Sequence, residues 1–371
     1  MHRSRRAMVS IAAFAAVVLS GSLAAAAPAA LARSGPSRAC QTVTIPVALQ
    51  PGQPTSYGIW GELCLPPGPT PQTVQFLVHG GTYNHDYWDF GVIDGIDYSY
   101  VNAALSAGYA VLDIDRLGDG QSSHPPSTSL TATNIVFTLH EVIQALRSGQ
   151  LGRSFSRVLY VGHSFGSAYG VDEIATYGDV DAAILTGYGH TDSPSFSALA
   201  TADSYPAVDD PRFAGSGLDT GYLTTLPGDR GPLYYYLPGA DPKVIAQDEA
   251  TKDLISLTEL ITRPKGELFS PQVRVPVLIL DGDHDIHYCA ADDDNCSSQA
   301  IFYQEESPYF PAAACLHTFL VPHTGHDTAL SLSAPLSYGV MLAWSHYYLS
   351  PGGRQGRCAG SGPLVTGSSR G

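Results

Sequence analysis

The segment Gly162-His163-Ser164-Phe165-Gly166 sets a single serine between two glycines. It follows a short apolar run, Arg157 to Val161, rich in strand formers, and precedes a helical stretch from Ser167 to Tyr177. A serine at such a strand-to-helix turn projects its hydroxyl beyond the carboxyl edge of a sheet, and the flanking glycines let strand and helix approach closely. A serine hydroxyl becomes a nucleophile only when a base takes its proton, and the base needs an orienting acid. Both types follow along the chain. Asp281-Gly282-Asp283-His284-Asp285 comes after the apolar run Val275 to Leu280. Asp285, three residues beyond Gly282, is the candidate acid, Asp283 the second choice, and Asp281 sits nearer the strand in a structural position. Any of the three could also be a turn aspartate bonding its own backbone. His323-Thr324-Gly325-His326-Asp327 lies between the last strand and the last helix. His326 is the candidate base, with His323 as its competitor. An oxyanion hole needs two backbone N–H groups aimed at the developing charge. Phe165 should supply one and Gly81, in His79-Gly80-Gly81-Thr82, the other, with Thr82 next in line. Viewed alone, that glycine pair also reads as a simple turn.

The elements needed to position these groups alternate. Strands are expected at about Cys40–Leu49, Ser56–Leu65, Val74–Val78, Tyr109–Ile114, Arg157–Val161, Val180–Leu185, Val275–Leu280 and Thr318–Val321. Helices are expected over Asp97–Ala107, Ala132–Arg147, Ser167–Tyr177 and Thr328–Tyr348. Ile135, Val136, Leu139, Val142, Ile143 and Leu146 form one apolar stripe. Such alternation implies a mostly parallel sheet with helices on both faces. It breaks between about 190 and 270, a stretch rich in Pro, Gly, Asp and Tyr with helical patterning only near Lys243–Thr262.

With the segment Asp115-Arg116-Leu117-Gly118-Asp119-Gly120-Gln121-Ser122, these pieces resemble the α/β-hydrolase superfamily in its serine-nucleophile branch, the one that includes secreted esterases and lipases. His79-Gly80-Gly81, the segment from Asp115, the turn around Ser164, Gly282-x-x-Asp285 and Gly325-His326 occur in the family's order, across roughly Val74 to Tyr348. The resemblance implies an α/β-hydrolase fold with an inserted cap at about 190–270, a Ser164-Asp285-His326 triad and no cofactor. It makes the segment from Asp115 a structural turn. The implied reaction is hydrolysis of a carboxylic ester, or a lactone, through an acyl-enzyme on Ser164. Aromatic residues after the oxyanion motif and in the insertion suggest substrate contacts, with Tyr83, Trp88 and Tyr235 as the named candidates. If they face the site they suit a bulky apolar or aromatic ester; otherwise they are core and lid packing. Two rivals remain. A peptidase or amidase would need an acidic anchor for a substrate amine, for which Asp209, Asp210, Asp241 and Glu249 are available. A non-catalytic binding protein on the same fold would be expected to have lost a triad member.

Composition narrows the setting. Arg3, Arg5 and Arg6 precede an apolar run and an alanine-rich stretch ending Ala30-Leu31-Ala32. This reads as a signal peptide over 1–32, leaving a domain over 33–371 with a flexible tail after 351. The run is short and broken by Ser20, Gly21 and Ser22, which argues against a permanent membrane anchor. A secreted protein is expected. The formal net charge of −15 disfavours nucleic acid and anionic membranes. The expected partner is a small-molecule ester, and the oligomeric state stays open. Six cysteines in an exported chain point to disulfides: Cys40 with Cys64, Cys289 with Cys296, and Cys315 with Cys358. No Cys-x-x-Cys pair is present, and Asp292-Asp293-Asp294-Asn295 lacks the glycine and distal glutamate of a calcium loop, so no metal is expected.

Overall fold

Two antiparallel strands open the described chain, β1 (Ala39–Val47) and β2 (Tyr57–Leu65), with Cys40 opposite Cys64 and bonded to it. The computed structural model describes residues 38–69, 71–193, 202–289, 296–350 and 360–364. The segment 1–32 read as a signal peptide lies outside them. After β3 (Thr73–Val78), wholly buried, the aromatic loop is partly a hairpin of β4 (Asp89–Ile93) and β5 (Ile96–Ser99). The helix expected from Asp97 therefore begins later, as α1 (Tyr100–Ser106), where Ser99 accepts the Asn102 N–H as its cap. Then follow β6 (Ala110–Ile114), α2 (Ala132–Ser148), β7 (Arg157–His163), α3 (Phe165–Tyr177) and β8 (Ala182–Thr186). The apolar stripe of α2 is buried throughout, Thr131 caps its start, and Gly149 at φ 85° ends it.

Past β8 the chain leaves the large sheet. It builds β9 (Ser204–Pro206), β10 (Tyr222–Thr225), α4 (Arg230–Tyr234), α5 (Pro242–Thr251), β11 (Ile255–Ser256), α6 (Leu257–Thr262) and α7 (Gly266–Phe269). The three strands pair antiparallel in the order β11-β10-β9. The single helix expected over 243–262 is in fact two, because β11 separates them. Ser256 and Glu259 restart α6 with a reciprocal capping box. The main sheet resumes with β12 (Val277–Gly282), followed by α8 (Gln299–Glu306), β13 (His317–Val321), α9 (Ala334–Leu349) and β14 (Gly362–Pro363). α9 starts six residues later than expected, with Pro335 in its first turn, where a missing N–H costs nothing.

The large sheet runs β1-β2-β6-β3-β7-β8-β12-β13-β14, parallel from β6 onward. α2 and α3 bury their apolar sides in a core on one face, and α1 and α9 on the other. From β3 the chain crosses to β6 on one side and then to β7 on the other. A strand order that reverses in this way opens a crevice at the carboxyl ends, here those of β3 and β7. Cys289 and Cys296 are also bonded. Cys358 lies outside the described residues, as does most of the tail expected to be flexible after 351. Gly362 and Pro363 nevertheless pair with His317 and Thr318 at the sheet edge. Among the described residues no helix is long and apolar enough to cross a membrane.

The Cys40–Cys64 bond joins residues 24 apart. Replacing both with serine should lower unfolding free energy by about 3 kcal/mol, read from urea denaturation of the two proteins side by side.

Candidate active site

The turn from β7 into α3 is tightly constrained. Ser164 stands at φ 52°, ψ −117°, a region that side chains other than glycine's rarely occupy. Its N–H donates to Thr186 O at 2.9 Å, which fixes the turn to the next strand. A Cβ on Gly166 would lie 2.3 Å from Val78 O, and one on Gly162 would lie 2.7 Å from Gly166 O. Both positions therefore accept only glycine without movement of backbone. The serine stays partly accessible while its neighbours are buried.

His326 and Asp285 come from the loops after β13 and β12. The His326 Nδ1–H donates to Asp285 Oδ2 at 2.7 Å, and Asp285 Oδ1 accepts the His287 N–H at 2.7 Å. Asp285 is fully buried and His326 nearly so. Burial raises the Asp285 carboxyl, but the charge and hydrogen bond of His326 outweigh it and hold it below its ordinary value. Conversely, burial lowers His326, and Asp285 more than compensates, so the imidazole sits above its usual range. His326 Nε2 has no hydrogen-bond partner. Gly282 lets the two loops touch, since a Cβ there would fall 2.1 Å from Gly325 O. Asp283 contacts His284 Nδ1 at 2.6 Å and accepts the Thr324 N–H at 3.2 Å, so it makes no contact with His326, while Asp281 is buried and accepts the Gly282 N–H. His323 is exposed.

Gly81, Thr82, Tyr83, Ser164, Phe165 and Tyr234 line one small cavity of about 60 Å³. The Thr82 N–H is taken by Leu254 O at 2.9 Å. Trp88 and Tyr235 do not line it. Trp88 is wholly enclosed in the core, and the Tyr235 hydroxyl donates to Asp248 at 3.0 Å. Residues of the insertion, among them Leu233, Ile255 and Leu260, supply the rest of the wall together with His287 from the loop after β12. This is the packing alternative for Trp88 and Tyr235, whereas Tyr83 lines the cavity.

The model of the alpha/beta hydrolase family matches residues 75–337. The chain belongs to this family. Three solved structures are similar at the level of fold. An esterase from Thermogutta terrifontis is 18% identical with a TM-score of 0.56, over 82% of this chain and 97% of that one. A bromoperoxidase from Bacillus anthracis is 18% identical with a TM-score of 0.54, over 82% and 99%. An enol-lactonase from Burkholderia xenovorans is 17% identical with a TM-score of 0.53, over 78% and 96%. No curated protein matches the chain in sequence.

Two buried guanidinium groups bind the hydrolase's insertion to these loops: Arg116, which the sequence resemblance places in a structural turn, and Arg230, to which it gives no role. Arg116 contacts Glu259 of α6 at 2.6 Å and Asp119 at 2.8 Å, and donates to Gly80 O at 3.3 Å. Arg230, on α4, contacts Asp248 of α5 at 2.8 Å, donates to Thr82 Oγ1 at 3.1 Å, and lies 4.2 Å over the Tyr83 ring. The Tyr83 hydroxyl donates to Asp327, the residue after His326, whose other oxygen lies 3.2 Å from His163 Nε2. Burial pushes both Asp248 and Asp327 up to about 6. His163 is pushed well below the ordinary imidazole range, first by burial and then by His326, and so stays neutral. The available signal was adjacency, since His163 precedes Ser164 and Asp327 follows His326.

Arg230→Ala would leave Asp248 buried without its counter-charge. The variant should lose about 3–5 kcal/mol of stability, whereas Arg230→Met combined with Asp248→Leu should recover most of it. Urea denaturation of wild type and both variants measures this.

Proposed function

We propose that this protein is an exported serine hydrolase of short-acyl carboxylic esters, acting through Ser164, His326 and Asp285. The observation that carries the reading is the His326 ring. Its Nδ1 is committed to a buried carboxylate, its Nε2 is unpartnered, and it packs 4.8 Å from the ring of His163, the residue before Ser164. His326 takes the Ser164 proton as the hydroxyl attacks the ester carbonyl, then protonates the leaving alcohol. Asp285 keeps the imidazole in the productive tautomer and stabilises its charged form. The Phe165 and Gly81 N–H groups receive the oxyanion, because Thr82 is already bonded. Water then releases the acyl group by the same route. The insertion at 190–270 acts as a cap over the acyl side, and its apolar residues at the cavity favour a small acyl group. The net negative charge and two disulfides are in keeping with an extracellular setting.

One observation favours a second reading, an aminopeptidase. Asp203 lines the same cavity, and its Oδ2 is buried without a hydrogen-bond partner, so it offers a receptor for a substrate ammonium group. The other acids available for that role are placed elsewhere: Asp210 and Glu249 pair with Lys252, Asp241 caps α5, and Asp209 is exposed.

Nitrophenyl acetate should be hydrolysed at least tenfold more efficiently than the octanoate, by about 1–3 kcal/mol of discrimination, and aminoacyl anilides should not be cleaved. Turnover of proline or alanine anilides exceeding that of the acetate, abolished by Asp203→Asn, would install the second reading.

Ser164→Ala should reduce ester turnover by about 10⁴-fold or more and remove labelling by a fluorophosphonate. Since His326 must be neutral to act as base, kcat/KM should rise with pH through its elevated pKa. Asp285→Asn removes the charge that elevates it, so the residual activity, about 10⁴-fold lower, should have its acidic limb displaced to lower pH. Asp283→Asn should leave rate and profile near wild type. The pH profiles of kcat/KM for the three proteins test the assignment.

A further inference from the structure

At the end of α3 opposite Ser164 is a second cluster of chemistry-bearing side chains. His140 and Gln144 lie one turn apart on α2, Glu173 and Tyr177 one turn apart on α3, and Asp179 follows Gly178, whose left-handed φ of 63° ends the helix. His140 Nδ1 is 2.8 Å from Asp179 Oδ2 and 3.7 Å from Glu173 Oε1. One ligand atom from each of the three residues lies within 4.8 Å of the other two. Glu173 is completely buried, and neither of its oxygens accepts a hydrogen bond. A buried carboxyl without donors, facing a second carboxyl, is an unfavourable arrangement unless a proton or a cation joins the pair. Arg147 is close by but does not fill the role, since it is engaged by the backbone carbonyls of Ser156 and Asp179 and by the Asp181 carboxylate.

We propose that His140, Glu173 and Asp179 form a binding site for a divalent transition-metal ion, best suited to zinc, that clamps α2 to α3. The imidazole nitrogen disfavours calcium and magnesium, which take oxygen ligands. Zinc bonds of 2.0–2.2 Å in a tetrahedron place neighbouring ligand atoms about 3.3 Å apart, and the distances of 2.8 and 3.7 Å fall on either side of that value. The ligands are held from behind. Gln144 Nε2 donates to Asp179 Oδ2 at 2.6 Å, and the Tyr177 ring stacks on His140 at 3.8 Å. His140 and Asp179 keep 21% and 16% of their side-chain exposure, so the fourth position faces solvent and takes a water. Glu173 lies nine residues along α3 from Ser164, about 14 Å away. The ion is therefore structural, and it fixes the far end of the helix whose first turn carries the proposed oxyanion donor.

The test is zinc binding by the purified full chain after chelator treatment, followed by calorimetric titration, metal analysis and thermal unfolding. One equivalent of zinc should bind and raise Tm by about 5 °C at saturating metal. His140→Gln and Glu173→Gln should each weaken binding at least tenfold and abolish the Tm rise. Circular dichroism of each metal-free variant establishes that it is folded. Gln144→Ala keeps all three ligands and should bind zinc with an intermediate loss. Asp285, His287 and His326 also have ligand spacing, so His326→Ala serves as the control and should retain the equivalent. Two results overturn the proposal. One is no zinc uptake by wild type, which leaves a protonated Glu173 beside Asp179. The other is zinc retained by both His140→Gln and Glu173→Gln but lost in His326→Ala.

Discussion

The reversal from β7 into α3 is the constraint on which the rest of the site depends. A strand and a helix that share one residue between them must cross at nearly backbone contact, and this is why Gly162 and Gly166 carry no side chains. Ser164 is then left at positive φ, and the cost is offset by the Thr186 carbonyl that receives its N–H and by the packing of α3. The geometry fixes Ser164 at the carboxyl edge of the sheet, with Phe165, the first residue of α3, lining the same cavity. The loop after β3 passes alongside because β3 and β7 are parallel neighbours in register, Val78 opposite Gly162. Moving any of these backbones would move Ser164 and the proposed oxyanion donors together.

Around this turn lies an unusual amount of buried charge. Arg116 and Arg230 are both fully enclosed; Arg116 reaches from a loop of the sheet to Glu259 of the insertion, and Arg230, paired with Asp248 within the insertion, reaches Thr82 and Tyr83 of the loop after β3. Buried ion pairs seldom stabilise a fold beyond what apolar residues would do, but they strongly disfavour any docking that leaves a charge unpaired. Here they set the position of the insertion relative to Thr82, Tyr83 and Asp327. The wall of the cavity and the loop that carries His326 are thus tied to the same network, so the space beside Ser164 is bounded by these contacts.

Solved structures that share this fold include an esterase, a bromoperoxidase and an enol-lactonase. The shared scaffold positions groups at the sheet edge, and selection between reactions falls to the walls above it. In this chain those walls are Leu233, Tyr234, Ile255 and Leu260, with Asp203 as the single carboxylate among them. Small volume and one unpartnered acid are what separate the two functional readings.

Sequence alone determined the alternation of elements, the sheet's parallel character, two cysteine pairings and the candidate groups Ser164, Asp285, His326, Phe165 and Gly81. These are local signals: apolar runs of strand length, a helical stripe, and glycines beside polar residues at strand ends. Asp285 was favoured over Asp283 from its offset past Gly282, but only the tertiary structure set it against His326, because that contact joins loops 41 residues apart. Tertiary structure also decided where the aromatic residues go. Trp88 and Tyr235 have the composition of a binding surface, yet their placement depends on which side of β4, β5 and α4 meets the core. The break between α5 and α6 was hidden for a related reason, since β11 exists only because Ile255 and Ser256 pair with β10. The ties made by Arg116 and Arg230 were beyond local reading altogether. A guanidinium in sequence looks solvated, and it becomes a buried tie only when distant carboxylates fold onto it.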